Sequence, residues 1–233
     1  MGMRTQFDEK LSEYYKNIMY MGTLVEQFLL DVIDAFSSDD VEKARLLIET
    51  DRRIDEMQVQ LEQESVMLLL LQAPVAKDLR KIVTSIKIVA NLERIGDYSV
   101  HLAKLTVKGD ARLFPKFVPR IAAMAKNGAS MIRDSITAYI NDDEALAMGT
   151  AARDTEIDSQ KKRIIGELIM TQPKDENQMR QIYRYLSICK DLERLGDHVT
   201  TICEWVIFTV KGEIVDLNNQ QIKSDEGQEP ANP

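Results

Sequence analysis

The chain has 233 residues, of which 44% are apolar and 29% charged, with few glycines, prolines and aromatics. That balance fits an ordinary helical protein with one large or two small cores and excludes wholesale disorder. A formal net charge of −8 excludes a general nucleic-acid surface, which needs clustered excess Lys and Arg, and is compatible with binding cations. Asp8 and Glu9 stand where a secretory signal would place its apolar core, and the longest apolar runs, 66–71 and 205–208, fall far short of spanning length. A soluble, cytoplasmic chain is expected, with Cys189 and Cys203 as reduced, buried thiols.

In chain order, residues 4–36 carry Leu11, Tyr14 or Tyr15, Ile18, Met21, Val25, Phe28, Leu29, Val32 and Phe36 on one face, which predicts one long helix. Ser37-Ser-Asp-Asp40 ends it and offers N-caps for a second, whose apolar face runs from Val41 through Ile54 and Leu61 to about Leu71. Pro74 breaks that helix, because proline lacks the donor for an interior bond. A third helix resumes near Val75 with Leu79, Ile82, Val83, Ile86, Val89 and Ala90, and its stripe then reaches Glu93 and Asp97, so acid appears where core should continue. Gly109 is a helix stop, and Pro115 and Pro119 mark the connection to a second half. A fourth helix is predicted over 118–140, a fifth from the Asn141-Asp-Asp143 turn to about Met170, and a sixth over 176–210 with Gly212 as its stop.

The halves repeat. Asn91-Leu-Glu-Arg-Ile-Gly-Asp97 recurs 100 positions later as Asp191-Leu-Glu-Arg-Leu-Gly-Asp197, so an internal duplication governs the reading. Glu93 with Asp97 and Glu193 with Asp197 are spaced i,i+4, which puts each pair on one helix face. A second acidic pair precedes each: Asp51 with Asp55, and Asp154 with Asp158. The midpoints of 51/97 and of 55/93 both fall on residue 74, and those of 154/197 and 158/193 on 175.5. If each turn joins antiparallel helices, four carboxylates meet at one level in each half.

Four such acids repel one another, so something positive must compensate them. One reading is arginine: Arg94 and Arg194 adjoin one pair of acids, and Arg52 and Arg53 another. The other is metal, since carboxylate oxygens select hard or iron-group cations and can bridge several ions. Gly96 and Gly196, each inside an acidic pair, cost a helix about 1 kcal/mol relative to alanine. They therefore imply a close approach by a backbone or bound group, or only close helix packing. His101 and His198 read as ordinary polar helix residues rather than ligands. No phosphate-cradling glycine loop or nucleophile motif occurs. A ferritin-like oxidase would want Glu-x-x-His, where this chain has Gly96 and Gly196.

On these repeated acidic pairs and the Leu-Glu-Arg-Ile/Leu-Gly-Asp wording, the sequence resembles the PhoU family of bacterial phosphate-uptake regulators over residues 5–215. The resemblance implies an all-α fold of two tandem, internally repeated three-helix bundles, six long helices in all. It divides the chain into a first PhoU-like bundle at 1–109, a second at 110–217 and a flexible polar tail at 218–233. It further implies multinuclear metal clusters, of iron in some members of the family, on Asp51, Asp55, Glu93, Asp97, Asp154, Asp158, Glu193 and Asp197. The role implied is non-enzymatic: negative regulation of the phosphate-starvation response, between the phosphate-specific ABC transporter and a membrane sensor histidine kinase, as a homodimer. A carboxylate-bridged metal enzyme of ferritin-like type is the alternative reading, and a metal-free helical scaffold a third.

Overall fold

A computed structural model describes residues 3–71, 76–109 and 113–217. The Pro74 turn, the expected boundary just after Gly109 and the 218–233 tail fall partly or wholly outside the described residues. The elements are α1 (Met3–Ser38), α2 (Val41–Thr50), α3 (Arg52–Leu71), α4 (Ala76–Val107), a short 3-10 turn (Pro115–Phe117), α5 (Val118–Asn141), α6 (Glu144–Ala152), α7 (Asp154–Met170) and α8 (Glu176–Lys211). There is no strand among the described residues. The architecture is the expected one of six long helical spans forming two repeated three-helix bundles.

The second and fifth spans differ from expectation, since each is broken into two helices, α2/α3 and α6/α7. No Gly or Pro marks either break. The chain tightens there through short-range bonds, Ile54 N–H to the Asp51 carbonyl at 2.7 Å, and Arg153 N–H to that of Thr150 at 3.1 Å. Such i→i+3 closures replace the regular ladder and redirect the axis. Each break sets an acidic residue, Asp51 or Asp154, at the mouth of a new helix, where backbone N–H groups and the dipole favour a carboxylate.

The turns before α2 and α6 follow their sequence. Asp39 (φ 62°) and Asp142 (φ 53°) take the left-handed conformation, which Asp tolerates better than most residues. Asp40 and Asp143 then cap, accepting from Lys43 N–H and Leu146 N–H. Gly212 (φ 79°) ends α8 as predicted.

The bundles lie side by side, α4 against α8 and α1 against α5, over one continuous apolar core. Tyr14, Ile18, Met21, Val25, Leu29 and Val32 of α1 are buried, as are Phe117, Ile121, Met124, Ile132 and Tyr139 along the 3-10 turn and α5. Helices α4 and α8 run antiparallel across the junction. His101 Nδ1 meets Asp191 Oδ2 at 2.6 Å, and His198 Nδ1 meets Asn91 Oδ1 at 2.8 Å. Both glycine stops also admit an arginine from the other half. Arg184 donates to the Lys108 carbonyl at 2.8 Å, and its Nη1 would lie 2.7 Å from a β-carbon on Gly109. Arg80 stands the same way over Gly212, 2.5 Å from the β-carbon position. Each half thus places a cation at the negative end of a helix in the other.

Candidate metal centre

In the first half, the α2/α3 break supplies Asp51, the first turn of α3 supplies Asp55, and the middle of α4 supplies Glu93 and Asp97. The midpoint symmetry is realised, and these four side chains lie in one electrostatic neighbourhood. Burial, followed by the charges of Asp55 and Asp97, pushes the Asp51 carboxyl up to about 6, with Lys104 pulling the other way. Glu93 is also raised, by burial and then by Asp97, against the lowering effect of Arg94. Arg94 reaches Glu93 at 3.6 Å and Asp97 at 3.5 Å from a largely exposed position. Arg52 turns instead to Glu56 at 2.7 Å, and Arg53 to the Tyr20 hydroxyl.

The second half repeats the arrangement in a drier setting. Asp154 opens α7 and is 4% exposed. Burial and then the charges of Asp197, Asp158 and Glu193 push it up to about 7. Asp197 is raised to about 6, by burial first and then by Glu193 and Asp158. Lys161 is the main compensating cation here, its Nζ 2.7 Å from Glu193 Oε1, and it pulls Asp197 down ahead of Arg194.

The glycines account for how the acids enter. A β-carbon on Gly96 would stand 3.2 Å from the Ile54 side chain and 3.9 Å from Asp51 Oδ1, whereas one on Gly196 would collide with Asp154 Oδ1. Of the approaches the glycines allowed, by a backbone, a bound group or close helix packing, the one seen in each half is packing, by the chain's own first aspartate and the isoleucine three residues beyond it. In both halves that same oxygen, Asp51 Oδ1 and Asp154 Oδ1, is buried without a hydrogen-bond partner. The Thr200 hydroxyl beside Asp154 lowers its pKa a little, yet it is itself left unpaired.

Unsatisfied buried carboxylate oxygens at two equivalent places are costly, and hard oxygen donors of this kind suit hard or iron-group cations. As the side chains stand, however, the described residues contain no group of three His, Cys, Asp or Glu placed to hold a metal ion. Glu93, Asp97 and Glu193 are turned to Arg94 and Lys161 instead. A cation would be held by Asp51, Asp55, Glu93 and Asp97, or by Asp154, Asp158, Glu193 and Asp197, only once those ion pairs give way.

The sequence reading named all eight acids and missed Lys161, Lys104 and Thr200. Lys161 was findable, since it lies three residues after Asp158 on the same face. His101 and His198 stay outside both clusters as expected, engaged across the junction of the two halves. Cys189 and Cys203 are buried free thiols, and burial raises Cys189 to about 12, so neither is a reactive nucleophile.

The comparisons with known proteins agree with this geometry. The PhoU domain model matches twice, over residues 18–106 and 121–206, once in each half. A phosphate-specific transport system accessory protein PhoU homolog from Clostridium acetobutylicum is 36% identical over 217 residues, covering 93% of this chain and 99% of that protein. The corresponding homolog from Caulobacter vibrioides is 30% identical, covering 94% and 95%. Among solved structures, the phosphate transport system regulatory protein PhoU from Streptococcus pneumoniae superposes with a TM-score of 0.83 at 29% identity, covering 90% of this chain and 99% of that one. PhoU from Pseudomonas aeruginosa gives 0.80 at 28% identity, covering 89% and 100%. With a doubled domain match, relatives aligned nearly end to end, and a shared fold built on the same repeat, the chain belongs to the PhoU family.

Proposed function

We propose that this chain is an accessory protein of a phosphate-specific transport system that negatively regulates the phosphate-starvation response. In this reading it links the transporter to a sensor histidine kinase from the cytoplasmic side, as a homodimer. Its two carboxylate clusters carry metal, of which iron clusters are the leading form. The accessory role follows from the relatives, which bear that description over nearly their whole length. No described helix is long and apolar enough to cross a membrane, so contact with the transporter and kinase runs through surfaces.

The observation that carries the metal reading is the twice-repeated carboxylate oxygen, Asp51 Oδ1 and Asp154 Oδ1, buried without a partner among three further acids. Bound cations supply positive charge that cancels the repulsion and satisfies those oxygens. The chain's own contribution is to hold the four acids at the mouth of one helix and the middle of the next. Arg94 and Lys161 partly occupy the place of that charge when the cation is absent, so loading exchanges an internal cation for an external one. Because each cluster joins the broken span to α4 or α8, loading fixes how these helices meet.

The relatives are described as accessory and regulatory proteins, which supports reading this chain's role as one without turnover. The test is a deletion strain complemented with wild type or with Asp51→Asn/Asp55→Asn/Glu93→Gln/Asp97→Asn, reading phosphate-starvation reporter output in rich phosphate. Repression by the wild type and derepression with the folded variant support the reading. Equal repression by both sinks the metal-dependent part, and no repression by either sinks the regulatory part.

A further inference from the structure

The repeat also displays what the halves do not share. In the first half, the groove between α1 and α3 is lined by Glu13, Asn17, Gln60, Gln63, Glu64 and Met67, with Lys10 as its one cation. At the offset of 103 that relates α1–α3 to α5–α7, those six positions become Lys116, Arg120, Arg163, Gly166, Glu167 and Met170. The same residues line the counterpart grooves in the second half, together with Lys162, which stands where the first half has Val59. The groove is kept and its charge is reversed. Glu167 accepts from Arg120 at 2.7 Å and approaches Lys116 at 3.6 Å, and one carboxylate does not neutralise the three cations Lys116, Arg120 and Arg163. In a chain of net charge −8, this concentration of positive charge runs against the overall composition.

The cationic groove ends in exposed apolar side chains. Ile169 is 69% and Met170 83% exposed at the last turn of α7, and Met179 is 54% exposed at the start of α8. Large apolar side chains at the end of a helical hairpin, with Lys and Arg alongside, are the arrangement that enters a headgroup layer.

We propose that the α7–α8 end of the second bundle docks directly on an anionic lipid surface. Ile169 and Met170 enter the interface, and Lys116, Arg120, Lys162 and Arg163 lie over the lipid phosphates. Long flexible cations suit a diffuse negative surface, and each contributes through attraction that salt screens. A free phosphate would use the cations alone and leave the apolar pair without a role. This contact is separate from the regulatory reading, in which the chain meets the membrane through protein partners.

The test is flotation of the purified full chain with vesicles of phosphatidylcholine alone or with added phosphatidylglycerol, at low and high salt. The expected result is capture by the anionic vesicles at least about tenfold stronger than by neutral ones, lost at high salt. Lys162→Glu/Arg163→Glu is expected to lose most of the capture and Met170→Ser a severalfold part of it. Met67→Ser, at the equivalent place in the first half, is expected to change nothing. Capture independent of lipid charge, or equal loss with Met67→Ser, overturns the proposal. Absence of vesicle capture by wild type overturns it outright; a melting temperature raised by inorganic phosphate in wild type but not in Arg163→Glu, or charge-dependent binding of an acidic peptide, then identifies what the cations take instead. The lipid and salt comparison uses wild type alone and stands even if a variant fails to fold.

Discussion

The Oδ1 oxygen of Asp154 occupies the space in which the side chain of any residue other than glycine at position 196 would begin. The equivalent pair in the first half is looser, with Asp51 Oδ1 3.9 Å from the Gly96 β-carbon position. The two alanine substitutions therefore separate. Alanine gains about 1 kcal/mol over glycine in a helix interior, while forced overpacking costs about 1–3 kcal/mol. Gly96→Ala, which presses only on the flexible Ile54 side chain, is expected within about 1 kcal/mol of wild type. Gly196→Ala is expected to lose about 1–2 kcal/mol, and Asp154→Ala in the same chain to recover most of that loss. A urea-denaturation double-mutant cycle measures the coupling, and additive losses would contradict the contact.

Replacing Asp51, Asp55, Glu93 and Asp97 by their amides removes mutual repulsion from a partly buried cluster. Thermal unfolding of the metal-stripped variant should therefore give a melting temperature equal to or above that of wild type. A clear fall would mean that the Arg94 pairs with Glu93 and Asp97 hold the structure together.

Acid dependence follows from the same shifts. Asp51 and Asp197 are raised from 3.8 to about 6, and Asp154 to about 7. In this window the folded state binds more protons than the unfolded state, so stability falls as pH rises. Their contribution is full below about pH 4 and is lost as pH passes through 6 and 7. Two effects run the other way: His198 is lowered by burial, and Asp34 and Glu167 are lowered by their ion pairs, which weakens the fold in strong acid. Metal-free wild type should thus be more stable near pH 5 than near pH 7.5, and Asp51→Asn/Asp154→Asn should flatten that slope. Chemical denaturation at both pH values reads it, and an unchanged slope in the variant would reject the assignment.

Lys161 is the internal cation of the second cluster, 2.7 Å from Glu193, with both side chains mostly buried. Lys161→Met should destabilise the metal-free protein by about 1 kcal/mol and strengthen divalent-cation binding, since the ion no longer displaces an ammonium. Calorimetric titration of the two proteins compares the affinities, and weaker binding by the variant would contradict the exchange.

Much of this was legible from sequence because helix period and terminators are local. The apolar stripe from Leu11 to Phe36, the Asp40 and Asp143 caps and the Gly212 stop all carry their signal within a few residues. The gathering of Asp51 with Asp97 was legible for another reason: a hairpin with a fixed turn converts sequence midpoints into spatial levels. The breaks at Asp51 and Arg153 were not legible, because Thr50, Asp51, Asp154 and Thr155 disfavour a helix interior only weakly and the bend arises where the aspartate is drawn against the glycine of a neighbouring helix. The place of Lys161 on the Asp158 face was readable, but its pairing with Glu193 depended on rotation about two helices at once. The His101–Asp191 contact depended on how α4 crosses α8, which no single repeat contains.

The most direct measurement is metal content per chain by elemental analysis, on protein purified without a metal-binding tag. It compares wild type, the four-amide variant of the first cluster, and the matching variant at Asp154, Asp158, Glu193 and Asp197. The account predicts metal in wild type, loss of one cluster's share in each variant, and retention of the other share by a folded protein. Wild type that never holds metal, together with a first-cluster variant that unfolds, would contradict it and leave the acids as partners of Arg94 and Lys161 alone.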